Sequence, residues 1–154
     1  MTTRRPRRIP PVLLTAVFGV LMWLVSTLTP SVDIPLPARA IVAVSLAAAG
    51  LAVTTLAVKG FREQRTSVNP LDLSRTSAVV TTGIYRLSRN PMYLAMLLGL
   101  LALGCLLSNP VSMGIAVLFV PAITRLQIIP EERALSRRFG TAYATYCTTV
   151  RRWI

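Results

Sequence analysis

The sequence predicts an all-α membrane protein with four transmembrane helices, the third and fourth forming a tight hairpin, followed by a cytoplasmic amphipathic C-terminal helix. Two features lead to this prediction. Of the 154 residues, 53% are hydrophobic and 14% are charged, a balance outside the usual range of soluble domains. Four apolar segments also stand out, each near the roughly 20 residues that a helix needs to cross a bilayer. We interpret the chain as one membrane domain.

The four apolar segments cover residues 11–28, 38–58, 91–107 and 110–129. The first follows four arginines and could be mistaken for a signal peptide. It is long for one, and no small-residue cleavage site follows it, so we interpret it as a retained span. A proline-rich connection leads to the second span.

The third and fourth segments are joined by the turn Ser108-Asn109-Pro110, which is so short that they must form an antiparallel hairpin. Small residues in these segments would let neighbouring helices approach closely in lipid. They are Gly99, Gly104, Gly114 and Ala116.

The chain carries 17 Lys and Arg against 5 Asp and Glu, a net charge of +12. In a soluble protein this excess would indicate nucleic-acid binding. Here the basic residues flank apolar segments, as the positive-inside rule describes, and they would attract anionic lipid head groups. We therefore predict a protein of the bacterial inner membrane with both ends cytoplasmic, and no nucleic-acid partner.

After Pro130 the pattern becomes that of an amphipathic helix over about residues 131–148. Its apolar face consists of Leu135, Phe139, Tyr143 and Tyr146. We expect this helix to lie on the membrane surface or to cover the cytoplasmic mouth of the bundle.

The composition limits the available chemistry. The sequence contains no histidine, the commonest general base and metal ligand, and we predict no metal site. Cys105 lies in an apolar segment and Cys147 in the basic tail, so the two should be free thiols rather than a disulfide. Any reaction must use carboxylates, arginines, amides or phenols.

Polar residues cluster where the third span begins. Asn90 and Pro91 have the residue types of an N-cap and first helical position. A helix N-terminus beside Arg86 and Arg89 would suit a carboxylate or phosphate. The alternative is that Asn90 only caps the helix and the arginines only obey the positive-inside rule.

A second cluster, Arg125, Gln127, Glu131 and Glu132, lies where the fourth span ends. An ionised Arg125 at that depth needs a partner or a cavity. Alternatively, the acids favour the first turn of a helix and Arg125 extends to the interface. Because the hairpin brings both clusters to one membrane face, they could line one pocket. Its arginines and helix N–H groups would suit a carboxylate, its acids an ammonium or sulfonium, and its phenols an aromatic ring.

Several motifs occur in a fixed order between residues 79 and 152. They are Val80-Thr81-Thr82-Gly83-Ile84-Tyr85, Arg89-Asn90-Pro91-Met92-Tyr93, Glu131-Glu132, and Phe139-Gly140 followed by Tyr143, Tyr146 and Arg151. In order and spacing they resemble the isoprenylcysteine carboxyl methyltransferase and phospholipid methyltransferase group of integral membrane enzymes.

The resemblance implies that S-adenosylmethionine binds at the cytoplasmic face, between the last two spans and the C-terminal helix. A lipophilic acceptor would enter from the bilayer. It assigns Ser77, Ala78, Val79, Val80 and Tyr85 to the adenosine side, Asn90, Pro91, Met92 and Tyr93 to the methionine part, and Glu131 to the ammonium. Arg125 or Gln127 would orient the acceptor. An amine or phenol acceptor must also lose a proton, which Glu132 or a tyrosine would take up.

Two positions depart from the group's pattern: Asn90 replaces a histidine, and Gln127 replaces a substrate-binding arginine. The acceptor could therefore be a carboxylate, a thiol or an amine. Two other functions stay open. Sterol-type reductases resemble the same C-terminal architecture but use NADPH. A four-span transporter of hydrophobic compounds would need an acid inside a span, and the four segments contain none.

Overall fold

The computed structural model describes residues 9–63 and 80–154, and these form helices joined by short connections. The helices are α1 (Pro11–Leu28), α2 (Leu36–Glu63), a 3₁₀ helix (Gly83–Arg86), α3 (Pro91–Leu107), α4 (Pro110–Ile123), a π-helical turn (Thr124–Ile128), α5 (Ile129–Phe139) and α6 (Thr141–Thr149).

Three helical stretches in the described residues are long and apolar enough to cross a membrane: Pro11–Leu28, Leu36–Gly60 and Pro110–Phe139. Helix α3 is equally apolar but has 17 residues, which span about 26 Å. The outward faces of α1 and α2 carry large apolar side chains, among them Val12 and Ile41, each 68% exposed. Such faces fit lipid rather than water, as expected of an integral membrane protein.

Helix α3 lies between α2 on one side and α1 and α4 on the other. The main core contains Met22 from α1, Leu100 from α3, and Phe119 and Ile123 from α4. Helices α2 and α3 approach closely because Gly50 has no side chain. A Cβ atom built there would lie 3.2 Å from the Ala95 carbonyl oxygen.

Only some of the predicted small residues serve close packing. A Cβ atom at Gly104 would lie 3.0 Å from Met113 Cε, and Ala116 is fully buried. The prediction for Gly99 and Gly114 is wrong, since a Cβ atom at either position would meet nothing within 4 Å. Both residues lie on outward helix faces, and sequence spacing alone did not reveal which face packs.

One end of the bundle is formed by the α1–α2 connection and the α3–α4 turn, and we call it the turn end. Polar side chains there join the two connections. Asn109 Nδ2 donates to Thr29 Oγ1 at 2.8 Å and to the Pro30 carbonyl at 3.0 Å, while Asn109 Oδ1 accepts from the N–H of Ser112. Ser108, at φ 51°, exchanges two hydrogen bonds with Val32. The expected hairpin is therefore also tied to its neighbours.

The fourth apolar segment does not stop before the C-terminal helix. Helix α4 continues through the π-turn into α5, where the Ile129 N–H donates to the Thr124 carbonyl five residues earlier. Pro130 lies in the first turn of α5 and has no N–H to donate to the Leu126 carbonyl. The wider π-turn accommodates this missing bond without ending the helix.

The prediction of one continuous C-terminal helix over residues 131–148 is wrong, because the structure has two helices there. Gly140 adopts φ 52° and ψ −123°, a conformation open mainly to glycine, and separates α5 from α6. The predicted apolar face persists across this break, because Leu135, Phe139, Tyr143 and Tyr146 pack in one cluster.

Ser112 offers a test of how much the turn end stabilises the bundle. Its buried hydroxyl donates to the Met22 carbonyl at 2.7 Å and links α4 to α1. We expect Ser112→Ala to lower the free energy of unfolding by roughly 1 kcal/mol. Ser45→Ala is the matched control, since the exposed Ser45 hydroxyl bonds only within α2. Thermal unfolding in detergent measures both, and equal melting temperatures for the two variants would contradict the expectation.

Candidate functional site

The two polar clusters of the sequence meet at the other end of the bundle, where α3 begins and α5 starts; we call it the tail end. The Tyr93 hydroxyl donates to Glu131 Oε1 at 2.7 Å. Tyr93 is in the first turn of α3 and Glu131 in the first turn of α5. One hydrogen bond thus joins the starts of the two helices.

Glu132 lies between two arginines. Arg152 donates to its carboxylate through Nε at 3.0 Å and Nη2 at 2.8 Å, and Arg89 Nη2 lies 3.3 Å from Glu132 Oε1. The hydrogen bond with Glu132 raises the pKa of Arg152 above its usual value. The Glu132 and Arg89 side chains are only 17% and 13% exposed, so this pairing is better shielded than an ordinary surface ion pair.

The C-terminal segment folds back onto the residues that precede α3. The Arg89 N–H donates to the Arg151 carbonyl at 3.1 Å, and Asn90 Nδ2 donates to the Arg152 carbonyl at 2.9 Å. Ser88 Oγ also reaches the Arg152 carbonyl, at 3.4 Å. Together with the Glu132 ion pairs, these bonds form the contact that we call the tail clasp.

Helix α3 starts at Pro91 with Asn90 at the N-cap, as predicted, but the side-chain cap expected of Asn90 is not formed. The Asn90 amide instead binds the tail. Arg89 is likewise engaged: it contacts Cys147 Sγ as well as Glu132. Arg86 is exposed. Of the two arginines expected to receive an anion, the structure therefore leaves only Arg86 accessible.

Helix α6 covers the segment that leads into α3. The Tyr146 hydroxyl donates to the Tyr85 carbonyl at 2.6 Å. Cys147 in α6 and Cys105 in α3 are both free thiols, as predicted. The expected covering role of the C-terminal helix thus falls to α6.

An apolar cluster lies next to this segment. Val80 and Tyr85 are buried against Ala57 of α2, and Met92 packs on the same cluster. The tight fit depends on Gly60, where a Cβ atom would lie 3.5 Å from the Tyr85 ring. The remaining residues assigned to the adenosine side lie outside the described parts of the chain: Ser77, Ala78 and Val79.

Burial raises the pKa of Tyr85, Tyr143 and Tyr146 above the ordinary range of a phenol. These hydroxyl groups stay protonated at neutral pH and act there as hydrogen-bond donors rather than as bases.

The π-turn separates two residues that the sequence placed in one cluster. Arg125 is exposed and forms no hydrogen bond or ion pair within the described part of the chain. Gln127 is 1% exposed, and its Nε2 donates to the Ile9 carbonyl at the start of α1. Its Oε1 is buried and has no hydrogen-bond partner among residues 9–63 and 80–154. An unsatisfied buried amide oxygen costs folding free energy.

Sequence reasoning missed the part played by the tail. The carbonyls of Arg151 and Arg152 bind the start of α3, and Trp153 packs against the main core. The sequence did contain a signal for this packing, because Trp153 follows two arginines in a polar segment. A tryptophan in such a position often packs against an apolar surface.

Comparison with known proteins gives two matches. The sequence profile of the phospholipid methyltransferase family matches residues 38–142, which run from α2 into α6. An uncharacterized protein of Haemophilus influenzae is 40% identical over 63 residues, 41% of this chain and the whole of that protein. No solved structure gives a significant match.

The buried tyrosines predict a loss of stability in alkali. Because their folded-state pKa values lie above the usual 10, the folded state keeps protons that the unfolded chain releases. The contribution of these tyrosines to the free energy of unfolding should be constant below about pH 10 and fall as the pH rises further. Thermal unfolding in detergent over this range, with tyrosinate absorbance, measures the effect. Tyr146→Phe should be less stable than the unchanged protein at neutral pH, but its stability should fall less as the pH rises above about 10. If stability falls equally steeply with pH in both proteins, Tyr146 does not contribute to the alkaline loss.

Proposed function

The chain belongs to the phospholipid methyltransferase family, and we propose that it transfers a methyl group from S-adenosylmethionine to a lipophilic acceptor. The observation that supports this most directly is the hydrogen bond between the Tyr93 hydroxyl and Glu131 at 2.7 Å. It fixes a carboxylate beside the first turn of α3. Pro91 has no N–H there and the Tyr93 N–H donates to the Asn90 carbonyl, so Met92 supplies the N–H that the helix does not use. A carboxylate next to such a donor suits a zwitterionic amino-acid group.

In this proposal Glu131 binds the ammonium of the cofactor's methionine part. Tyr93 orients Glu131, and the start of α3, at Pro91 and Met92, faces the cofactor's carboxylate. Asn90 takes part indirectly, since its amide holds the Arg152 carbonyl. The donor set therefore fits the methionine part of the cofactor.

The apolar side of the cofactor site would be formed by the cluster around Val80, Tyr85 and Met92. Ser77, Ala78 and Val79, directly before Val80, extend this side in the proposal. The small size of Ala57 and Gly60 lets the segment around Val80 and Tyr85 pack tightly on α2. The role of this apolar side is to hold the adenosine part of the cofactor and to exclude water.

The protein's contribution to the reaction is mainly placement. Bound S-adenosylmethionine supplies an already activated methyl group, and alignment with the acceptor then accounts for most of the rate. Excluding water helps further, because the reaction disperses charge. Glu132 keeps the tail on the start of α3 through Arg89 and Arg152, and we assign it a positioning role.

We place the acceptor side at the π-turn. Gln127 has a buried amide oxygen that is unpaired within the described part of the chain, and Arg125 is exposed on the outer surface. An acceptor that carries an N–H or O–H group could donate to Gln127 Oε1. Neutral or amine acceptors are therefore favoured over a free carboxylate, which has no hydrogen to donate.

Binding of S-adenosylhomocysteine to the purified protein in detergent tests the cofactor site. Calorimetry should detect binding to the unchanged chain. Glu131→Gln should weaken it about tenfold or more, because a charge-assisted bond to the ammonium is lost. Tyr93→Phe should weaken it less, since the carboxylate remains but loses its orienting partner.

Asp33→Asn is the matched control, because it removes an acid from the exposed α1–α2 connection at the turn end. It should leave binding unchanged. No binding to the unchanged protein would refute the proposed cofactor, and equal effects of Glu131→Gln and Asp33→Asn would refute the proposed site.

The transfer itself is tested by incubating the protein with methyl-labelled S-adenosylmethionine and a total lipid extract. We expect a labelled product in the lipid fraction that disappears with Glu131→Gln. Label that stays only in the aqueous phase would contradict a lipophilic acceptor.

We also propose that α3 completes a set of four spans, with the turn end outside and the tail end in the cytoplasm of a bacterium. The support is the distribution of charge: Arg62, Arg86 and Arg133 lie at the tail end, whereas Arg39 is the basic residue near the turn end.

Single cysteines test this orientation in a chain with Cys105→Ser and Cys147→Ser. In intact spheroplasts an impermeant maleimide should label Ser31→Cys at the turn end and leave Thr145→Cys in α6 unlabelled. Both positions are exposed, so both should react after lysis. The reverse pattern in spheroplasts would invert the topology.

A further inference from the structure

A cleft of about 550 Å³ opens along one side of α5, apart from the contact between Tyr93 and Glu131. Its walls come from α5 and the C-terminal tail. The lining residues are Ile129, Glu132, Arg133, Ser136, Arg137 and Arg152.

The charge of this cleft is positive. Arg152 and Arg89 already neutralise Glu132, the single acid in the lining. Arg133 and Arg137 are exposed, and neither forms an ion pair within residues 9–63 and 80–154. Two guanidinium groups without acidic partners in the described residues therefore line one cavity, together with Ser136.

The lining residues on α5 are arranged in a definite order along the helix. Ile129, Arg133 and Arg137 are four residues apart, so they form one row along α5 that is about 12 Å long. The row begins with Ile129, the last residue of the fourth apolar segment of the sequence, and continues into two guanidinium groups. An amphiphile with a phosphate head matches that order, whereas a free phosphate would leave Ile129 unused.

We propose that this cleft binds the phosphate of an anionic membrane phospholipid that is not the methyl acceptor. Arg133 and Arg137 donate to the phosphate oxygens in the bidentate geometry that guanidinium groups favour, and Ser136 adds a hydroxyl donor. Ile129 contacts the glycerol and the first part of the acyl chain. The lipid also lies against Arg152 of the tail clasp, so its binding holds the tail in place.

The test uses the full chain in a neutral detergent, with short-chain phosphatidylglycerol as the probe and phosphatidylcholine for comparison. Phosphatidylglycerol should bind more tightly and raise the melting temperature, because it binds only the folded protein. The double variant Arg133→Gln/Arg137→Gln should weaken this binding about tenfold or more. In the unchanged protein the binding should weaken as salt is added.

The matched control is Arg62→Gln/Arg138→Gln, which removes the same charge from exposed positions outside the cleft. It should keep most of the phosphatidylglycerol affinity. The phosphatidylglycerol affinity of Arg133→Lys/Arg137→Lys should lie between those of the two glutamine double variants, since lysine retains the charge but not the planar set of guanidinium donors. All variants change exposed side chains, and circular dichroism reports whether they fold.

Four results would overturn the proposal. Equal binding of the two lipids would remove the preference for an anionic head, and equal losses in the cleft and control variants would indicate a diffuse charge effect. Inorganic phosphate binding as tightly as phosphatidylglycerol would make the site one for free phosphate. Loss of S-adenosylhomocysteine binding in Arg133→Gln/Arg137→Gln without lipid would assign the cleft to the cofactor. Failure of the proposed methyl transfer would leave the lipid measurements unaffected.

Discussion

The carboxylate of Glu132 and its two arginines hold the tail end of this protein together. Arg89 belongs to the segment before α3, Glu132 to α5 and Arg152 to the C-terminal tail, so one partly buried network joins three parts of the chain. Removing the acid would leave two guanidinium groups close together without compensation, which is far more costly than losing a surface ion pair. The bonds from Asn90 and Ser88 to the Arg152 carbonyl belong to the same contact.

The apolar bundle is thus joined by polar contacts at both ends. At the turn end, Asn109 and Ser108 bind the connection between α1 and α2; at the tail end, the clasp binds the start of α3. Between these ends the helices meet through apolar side chains and a few close contacts, such as that of Gly50 with Ala95. In lipid, helices associate through close packing and interhelical hydrogen bonds, so these contacts and the polar ends together stabilise the arrangement of the helices.

The π-turn connects the membrane part of the fold with the functional part. Pro130 removes one helical hydrogen bond, and the wider turn before it carries the helix on into α5. Gln127 faces the interior at this turn, and Glu131 follows one turn later beside Tyr93. A helix that ended at Pro130 would have left Glu131 in a connection, where its contact with α3 would be less fixed. π-turns recur at functional sites because they redirect side chains in this way.

The sequence by itself determined the helical class, the bounds of α1 and α3, the start of α4, the hairpin and the family. These depend on local properties: apolar length, Asn-Pro helix starts and ordered motifs. It did not determine the partners of individual side chains. The Asn90 amide was expected to cap α3 and instead binds the Arg152 carbonyl 62 residues away. The break at Gly140 and the inward face of Gln127 depend likewise on backbone conformation and packing. A side chain with several possible partners takes the one that the assembled helices bring within reach, and only the tertiary structure decides which one that is.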